Sequence, residues 1–213
     1  MNKGKTNEIL DILEKRYPDA ECELVHRNPF ELLIATVLSA QTTDKKVNQV
    51  TEKLFAKYKT PHDFAELNQE ELENHIREIG LYKNKAKNII ALCKMLINEY
   101  NGEVPKTKEE LIKLPGVGRK TANVVVSNAF GVPAIAVDTH VFRVSNRIGL
   151  AESEDVTKTE EQLMEAIPED RWTKAHHLLI FHGRRTCAAR KPKCEECTVA
   201  PYCKFFNGGT DNE

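Results

Sequence analysis

Two stretches of this chain hold residue types at spacings that could do chemistry. The first is Leu114-Pro115-Gly116-Val117-Gly118-Arg119-Lys120, followed eighteen residues later by Asp138. A Gly-x-Gly turn leading into a helix leaves backbone N–H groups at the helix start without intrahelical acceptors. Gly116 and Gly118 carry no Cβ, so a phosphate can approach those amides closely, and the helix dipole favours its charge. Such a contact grips a nucleic-acid backbone without reading its sequence. A plain helical hairpin would use the same glycines for geometry alone. Lys120 adds an amine at the same helix start, beside Arg119. Positive potential there favours the uncharged amine that a nucleophile requires. The alternative is a lysine that only meets phosphate or solvent. Asp138 is placed to cap the next helix, an interaction worth about 1 kcal/mol. A capping carboxylate is a weak base but a good partner for developing positive charge. The two together suit an amine nucleophile acting on a polyanion.

The second stretch is Cys187-x6-Cys194-x2-Cys197-x5-Cys203, which gathers four of the six cysteines into 17 residues. Cys22 and Cys93 stand apart. Met1-Asn2-Lys3-Gly4-Lys5 has no signal-like apolar core, and no apolar run reaches membrane length. A cytoplasmic location is therefore expected, without a membrane partner. In that compartment disulfides are rare, so clustered cysteines read as metal ligands. Zinc sites commonly separate two close cysteine pairs, a pattern this spacing does not follow, although spacing alone leaves zinc open. His176, His177 and His182 lie nearby in sequence. With four cysteines available, they are expected in the core or at the surface.

The elements that must position these groups read as helices, and an all-α fold follows. Pro29 opens an apolar run to Leu38, the expected central buried helix, which ends in the polar residues 39–43. Asp44 is expected to cap the next helix, with Val47, Val50, Leu54 and Phe55 on one face. Thr60-Pro61 starts a short helix, and Asn68 with Glu71 reads as a capping box. A helix over 83–100 follows. Thr107 with Glu110 caps the approach to the glycine turn, and the helix beyond it covers 120–130. Asp138 begins a helix over 139–148, Thr157 with Glu160 caps another, and the last helix spans 172 to about 182 before the cysteine loop. The best strand candidate, residues 134–137, is too short to believe.

Overall charge says little, with 31 Lys plus Arg against 32 Asp plus Glu. Its distribution says more. Residues 111–137 hold no acid, and 171–194 hold none either but carry Arg171, Lys174, Arg184, Arg185, Arg190, Lys191 and Lys193. Residues 152–170 hold eight acids against the single base Lys158. Sorting of this kind suits one basic face on a polyanion, although any single block can be a solvated surface.

Leu114-Pro-Gly-Val-Gly-Arg-Lys-Thr-Ala-Asn123, Ala136-Val-Asp-Thr-His-Val141 and the four late cysteines closely resemble the endonuclease III family of helix-hairpin-helix DNA glycosylases. Pro29-Phe-Glu-Leu-Leu-Ile34, Leu38-Ser-Ala-Gln41, Ile79-Gly-Leu-Tyr82 and Asn101-Gly-Glu-Val-Pro105 extend the resemblance along the chain. It implies two all-α domains with a DNA-binding cleft between them. One covers 23–132 and contains the helix-hairpin-helix at about 107–131; the other joins 1–22 to 133–213, with the cluster loop at 187–203. It further implies base excision repair of double-stranded DNA that contains damaged pyrimidines or abasic sites. Lys120 then matches the nucleophile that forms a Schiff base and leads to β-elimination, and Asp138 the essential carboxylate. Gln41 and Leu81 match side chains that fill the gap left by a flipped base. Leu114, Gly116, Val117, Gly118, Arg119, Thr139, His140, Arg184, Arg185 and Lys191 are the further expected DNA contacts. Cys187, Cys194, Cys197 and Cys203 are implied ligands of a [4Fe–4S] cluster. The resemblance implies a monomer, nucleoid-associated when acting on DNA. The alternatives are a monofunctional glycosylase, in which Lys120 only binds phosphate, and a non-enzymatic helix-hairpin-helix binding module or an Fe–S redox module.

Overall fold

The computed structural model describes residues 2–208, and every regular element among them is helical. Residues 134–137 are buried and belong to no strand among the described residues. Two compact units emerge: a discontinuous one, Met1–Glu21 with Pro133–Glu213, and a continuous one, Cys22–Val132.

The discontinuous unit opens with α1 (Lys3–Arg16), whose first turn is capped by the Asn2 side chain and which ends before Tyr17-Pro18. It buries Ile9, Leu10 and Leu13 in a core that they share with residues more than a hundred positions away.

In the continuous unit, α2 (Pro29–Leu38) is buried on almost every side. Asn28 caps it and Pro29 occupies its first turn, where the missing N–H costs nothing. Full burial of Leu32, Leu33, Ile34 and Leu38 contributes about 1.5–3 kcal/mol each. Buried Glu31 is held by the Arg27 guanidinium at 2.6 Å and by the Arg27 backbone N–H at 2.8 Å. There follow α3 (Asp44–Lys57), α4 (Pro61–Ala65), α5 (Gln69–Ile76), α6 (Tyr82–Tyr100), α7 (Lys108–Leu111) and α8 (Arg119–Phe130). Thr60 with Asp63 and Asn68 with Glu71 form complete capping boxes. Thr43, not Asp44, caps α3; Asp44 instead takes the first helical position, where the dipole still favours an acid. α8 packs on α2, so the helix that begins at the glycine turn rests on the most buried element of its unit.

The discontinuous unit resumes with α9 (Thr139–Ile148), α10 (Val156–Ala166), α11 (Trp172–Arg185) and α12 (Lys204–Asn207). α11 packs against both α9 and α1. Arg171 ties this region to α1 through Asp11 at 2.8 Å. Two boundaries differ from those expected. Asp155, not Thr157, caps α10, since its carboxylate accepts the Lys158 N–H at 2.8 Å two residues before Thr157 could serve. α11 runs through Gly183 to Arg185, because this glycine is a packing residue. A Cβ there would come to 3.0 Å of His140 Cβ and 3.1 Å of Val144 Cγ2 on α9.

Candidate functional site

The glycine turn of the continuous unit is built from two glycines with different work. Gly116 has φ +76°, and a Cβ on it would lie 2.9 Å from Asn88 Cβ. Both the backbone and the space demand glycine. Gly118 caps α8 with φ −95°, and nothing lies within 4 Å of where its Cβ would stand. The fold does not need glycine there; the open approach to the first amides of α8 does. Having no side chain, Gly118 cannot satisfy those amides itself. Arg119 and Lys120 are the first two residues of α8, and both are exposed. Leu114 and Val117 correct the expected set. They are 2 % and 6 % exposed, so their side chains staple the turn into the core, and only their backbone can face a nucleic acid.

The same unit brings together the segments of Gln41 and Leu81. Both residues are exposed, and both hold the left-handed backbone, φ 55° and 59°. Non-glycine residues rarely adopt it without reason. The Thr42 hydroxyl accepts the Gly80 N–H at 3.3 Å, and a Cβ on Gly80 would meet Gln41 O at 3.4 Å. The gap between positions 41 and 81 in sequence is closed in space by these contacts.

In the discontinuous unit Asp138 caps α9 as expected, accepting the Val141 N–H at 2.7 Å while staying only half-buried. Thr139 is exposed, and His140 is half-buried against Gly183. Arg143 Nη2 lies 3.2 Å from His140 Nδ1. Burial lowers the His140 pKa from its ordinary value, and Arg143 and Arg184 push the same way against the pull of Asp138. Arg184 and Lys191 are exposed. Arg185, also expected at the DNA, donates to Asp19 at 2.6 Å and lies over Phe181 at 4.4 Å.

Cys187, Cys194, Cys197 and Cys203 line a single cavity together with Ile148, His182, Phe205 and Phe206. None is in a disulfide. Among the described residues, no three His, Cys, Asp or Glu converge closely enough for one metal ion. The chemistry of four thiols around one cavity suits a metal centre with four thiolate ligands. Burial pushes the Cys197 and Cys203 thiols up, and the other sulfurs of the set add to this. Backbone N–H groups oppose it, from Val199 toward Cys197 and from Phe205 and Phe206 toward Cys203. Amides aimed at sulfurs stabilise thiolate ligands. His182 Nε2 lies 3.6 Å from Cys197 Sγ, and its Nδ1 lies 3.0 Å from the Tyr17 hydroxyl.

Two residues that the sequence reading passed over hold this loop. Arg143 donates to Cys187 O at 3.1 Å and Gly183 O at 3.1 Å. Arg147, one turn further along α9, donates to Ala188 O at 2.8 Å and Ala189 O at 3.1 Å and reaches Cys187 Sγ at 3.5 Å. Their i,i+4 spacing was visible, but their partners are backbone carbonyls, which leave no mark in a sequence.

With this geometry in view, comparison with known proteins is specific. Residues 34–169 match the HhH-GPD superfamily base excision DNA repair protein family. Endonuclease III of Bacillus subtilis (strain 168) is 57 % identical over 96 % of this chain and 94 % of its own length. A solved structure of a trapped endonuclease III–DNA covalent intermediate is 58 % identical, covers 98 % of both chains and superposes with a TM-score of 0.93. A non-covalent endonuclease III–DNA complex matches equally, with 58 % identity, 98 % coverage of both chains and a TM-score of 0.93. The turn, the capped aspartate and the four-cysteine loop thus stand in a chain that belongs to the endonuclease III family of HhH-GPD base excision DNA repair proteins.

Proposed function

We propose that this protein is a bifunctional DNA glycosylase and abasic-site lyase that acts on double-stranded DNA containing damaged pyrimidines. The observation that carries the reading is the exposed Lys120 amine at the start of α8, in a chain 58 % identical to an endonuclease III trapped as a covalent DNA intermediate. The uncharged Lys120 amine attacks C1′ of a nucleotide turned out of the duplex, and the C1′–N bond to the base breaks with the electron pair leaving on the base. Opening of the sugar gives an iminium between Lys120 and C1′. Loss of a proton from C2′ then expels the 3′ phosphate by β-elimination, and water releases the lysine. Asp138 faces positive charge that develops on the sugar and on the iminium; its anchored carboxylate stabilises that charge in place. Gly116, Gly118 and the first amides of α8 hold a phosphate. Gln41 and Leu81 occupy the space left in the stack, and Thr139, His140, Arg184 and Lys191 are the further DNA contacts of the reading.

Residues 23–132 serve as one domain and 1–22 with 133–213 as the other, with the protein acting as a monomer. Cys187, Cys194, Cys197 and Cys203 would hold a [4Fe–4S] cluster. When bound, it would tie the four thiolates to one centre and give the loop a rigid core. Arg143 and Arg147 orient that loop through its carbonyls, and the backbone amides named above serve its sulfurs.

Borohydride reduction in the presence of an abasic duplex tests the chemistry. A covalent adduct is expected and should be absent in Lys120→Gln. Base release without any adduct would overturn the bifunctional reading in favour of a monofunctional enzyme. Iron analysis with absorbance near about 400 nm tests the cluster independently.

A further inference from the structure

Lys85 lies within α6 and is only 5 % exposed, yet all three of its hydrogen-bond acceptors are neutral oxygens. Its Nζ donates to Leu38 O at 2.9 Å and to Ala40 O at 2.5 Å, and lies 3.5 Å from Thr42 Oγ1. An ammonium has three N–H donors, so these acceptors match it fully. Leu38 closes α2 and Ala40 follows it, where carbonyls run out of intrahelical partners. Burial draws the Lys85 pKa below its ordinary value, the mark of a charge held where water is scarce. An aliphatic side chain at this core position would avoid that cost. What the ammonium adds is a three-point clamp on residues 38–42.

That clamp reaches both left-handed residues. Gln41, at φ 55°, sits between Ala40 and Thr42, whose oxygens Lys85 meets. Leu81, at φ 59°, accepts the backbone N–H of Lys85 through its carbonyl at 3.1 Å. The Thr42 hydroxyl, which Lys85 approaches, is also the acceptor for the Gly80 N–H. Two exposed, strained residues from separate loops thus meet at Lys85, whose side chain holds the residues around Gln41 and whose backbone N–H holds Leu81; the Thr42 hydroxyl that the side chain reaches also holds Gly80. Strain of this kind persists only where its surroundings over-determine it.

We infer that Lys85 is a positioning residue for nucleotide extrusion: its buried ammonium locks the loops of Gln41 and Leu81 into one preformed wedge. The inference rests on the reading of Gln41 and Leu81 as the residues that fill the opened stack. A wedge set before binding spares the ordering cost when DNA arrives, and a loosened one loses its power to unstack while the chemistry remains intact.

The test compares a lesion in a fully paired duplex with the same lesion inside a bubble of unpaired bases. It also follows the fluorescence of 2-aminopurine placed opposite a stable abasic analogue. Lys85→Met should keep the helical circular dichroism, lose most of the fluorescence rise and release base about tenfold more slowly from the paired duplex. Release from the bubble, where extrusion is already done, should stay close to that of the unaltered chain. Equal loss on both substrates, or loss on neither, overturns the inference if Leu81→Ala and Gln41→Ala still lose activity on the paired duplex alone. If those two variants show no such selectivity, the wedge reading itself fails, and the inference with it. Should Lys85→Met not fold, Thr42→Val removes the shared hydroxyl at a half-exposed position. Selective loss on the paired duplex then supports the inference, and uniform or absent loss overturns it.

Discussion

Asp138 carries two burdens on one carboxylate, and a single substitution can divide them. Asparagine caps a helix about as well as aspartate, so Asp138→Asn should keep the hydrogen bond to the Val141 N–H while removing the charge. Base release in single turnover is expected to fall by about 10²-fold or more, with the melting temperature almost unchanged. Asp138→Ala should lose activity similarly and also about 1 kcal/mol of stability. An Asp138→Asn variant that melts as early as the alanine variant, or keeps full activity, would contradict this division. The two glycines of the turn make a matched pair in the same spirit. Gly116→Ala forces a left-handed backbone on alanine and drives its Cβ into Asn88, so about 1–3 kcal/mol of stability should be lost in urea titrations. Gly118→Ala meets nothing within 4 Å and should fold normally but bind DNA more weakly, because its methyl group stands where a phosphate must approach. The places of Lys120 at a helix start, of Asp138 as a cap and of the turn between them were legible because each follows from residue type and position. The burial of Leu114 and Val117 was not. A leucine in a turn reads the same whether its side chain faces DNA or the core.

At the level of elements, helix starts were legible wherever a cap had a unique candidate, as at Thr60, Asn68 and Asp138. Where two capping residues compete, local pattern cannot rank them, and Asp155 took the place expected for Thr157. The last helix runs three residues past the end expected near 182, and Gly183 within that extension admits the close approach of α9 to α11. The same closeness lets Arg143 and Arg147 reach the carbonyls of the cysteine loop, an arrangement that exists only once the two helices have docked. Arg147→Met should therefore leave α9 helical but let the loop loosen. Loss of iron to a chelator, followed by absorbance, is expected to quicken by about tenfold, the usual cost of removing an outer support from a metal site. Unchanged iron loss would assign Arg147 to surface packing alone, over the Phe205 ring that it also covers at 4.8 Å.

Across the whole molecule, stability is tied to pH through the buried imidazole of His177. Burial first, and then His176, Lys174 and Arg184, bring its pKa down from 6.5 to about 3. The folded chain refuses a proton that the unfolded chain accepts, so this contribution is complete above about pH 6.5 and drains as pH falls toward 3. Within that window the slope is about 1.4 kcal/mol per pH unit. Urea melts of the unaltered chain and of His177→Phe at several pH values should diverge by that slope; parallel curves would clear His177 of the effect. No helix among the described residues is long and apolar enough to cross a membrane, in keeping with the hydropathy of the sequence. The sorting of charge into blocks was equally plain in the sequence. Which of those charges are already engaged, as Arg185 is with Asp19, needed the fold. The discontinuous unit has one more consequence, and it concerns time rather than space. Ile9, Leu10 and Leu13 are made before Cys22–Val132, while their packing partners on α9 and α11 are made after it. The apolar face of α1 therefore stays uncovered until translation has passed the whole continuous unit. The four-cysteine loop follows α11 in the chain, so it closes only once the partners of α1 have been made.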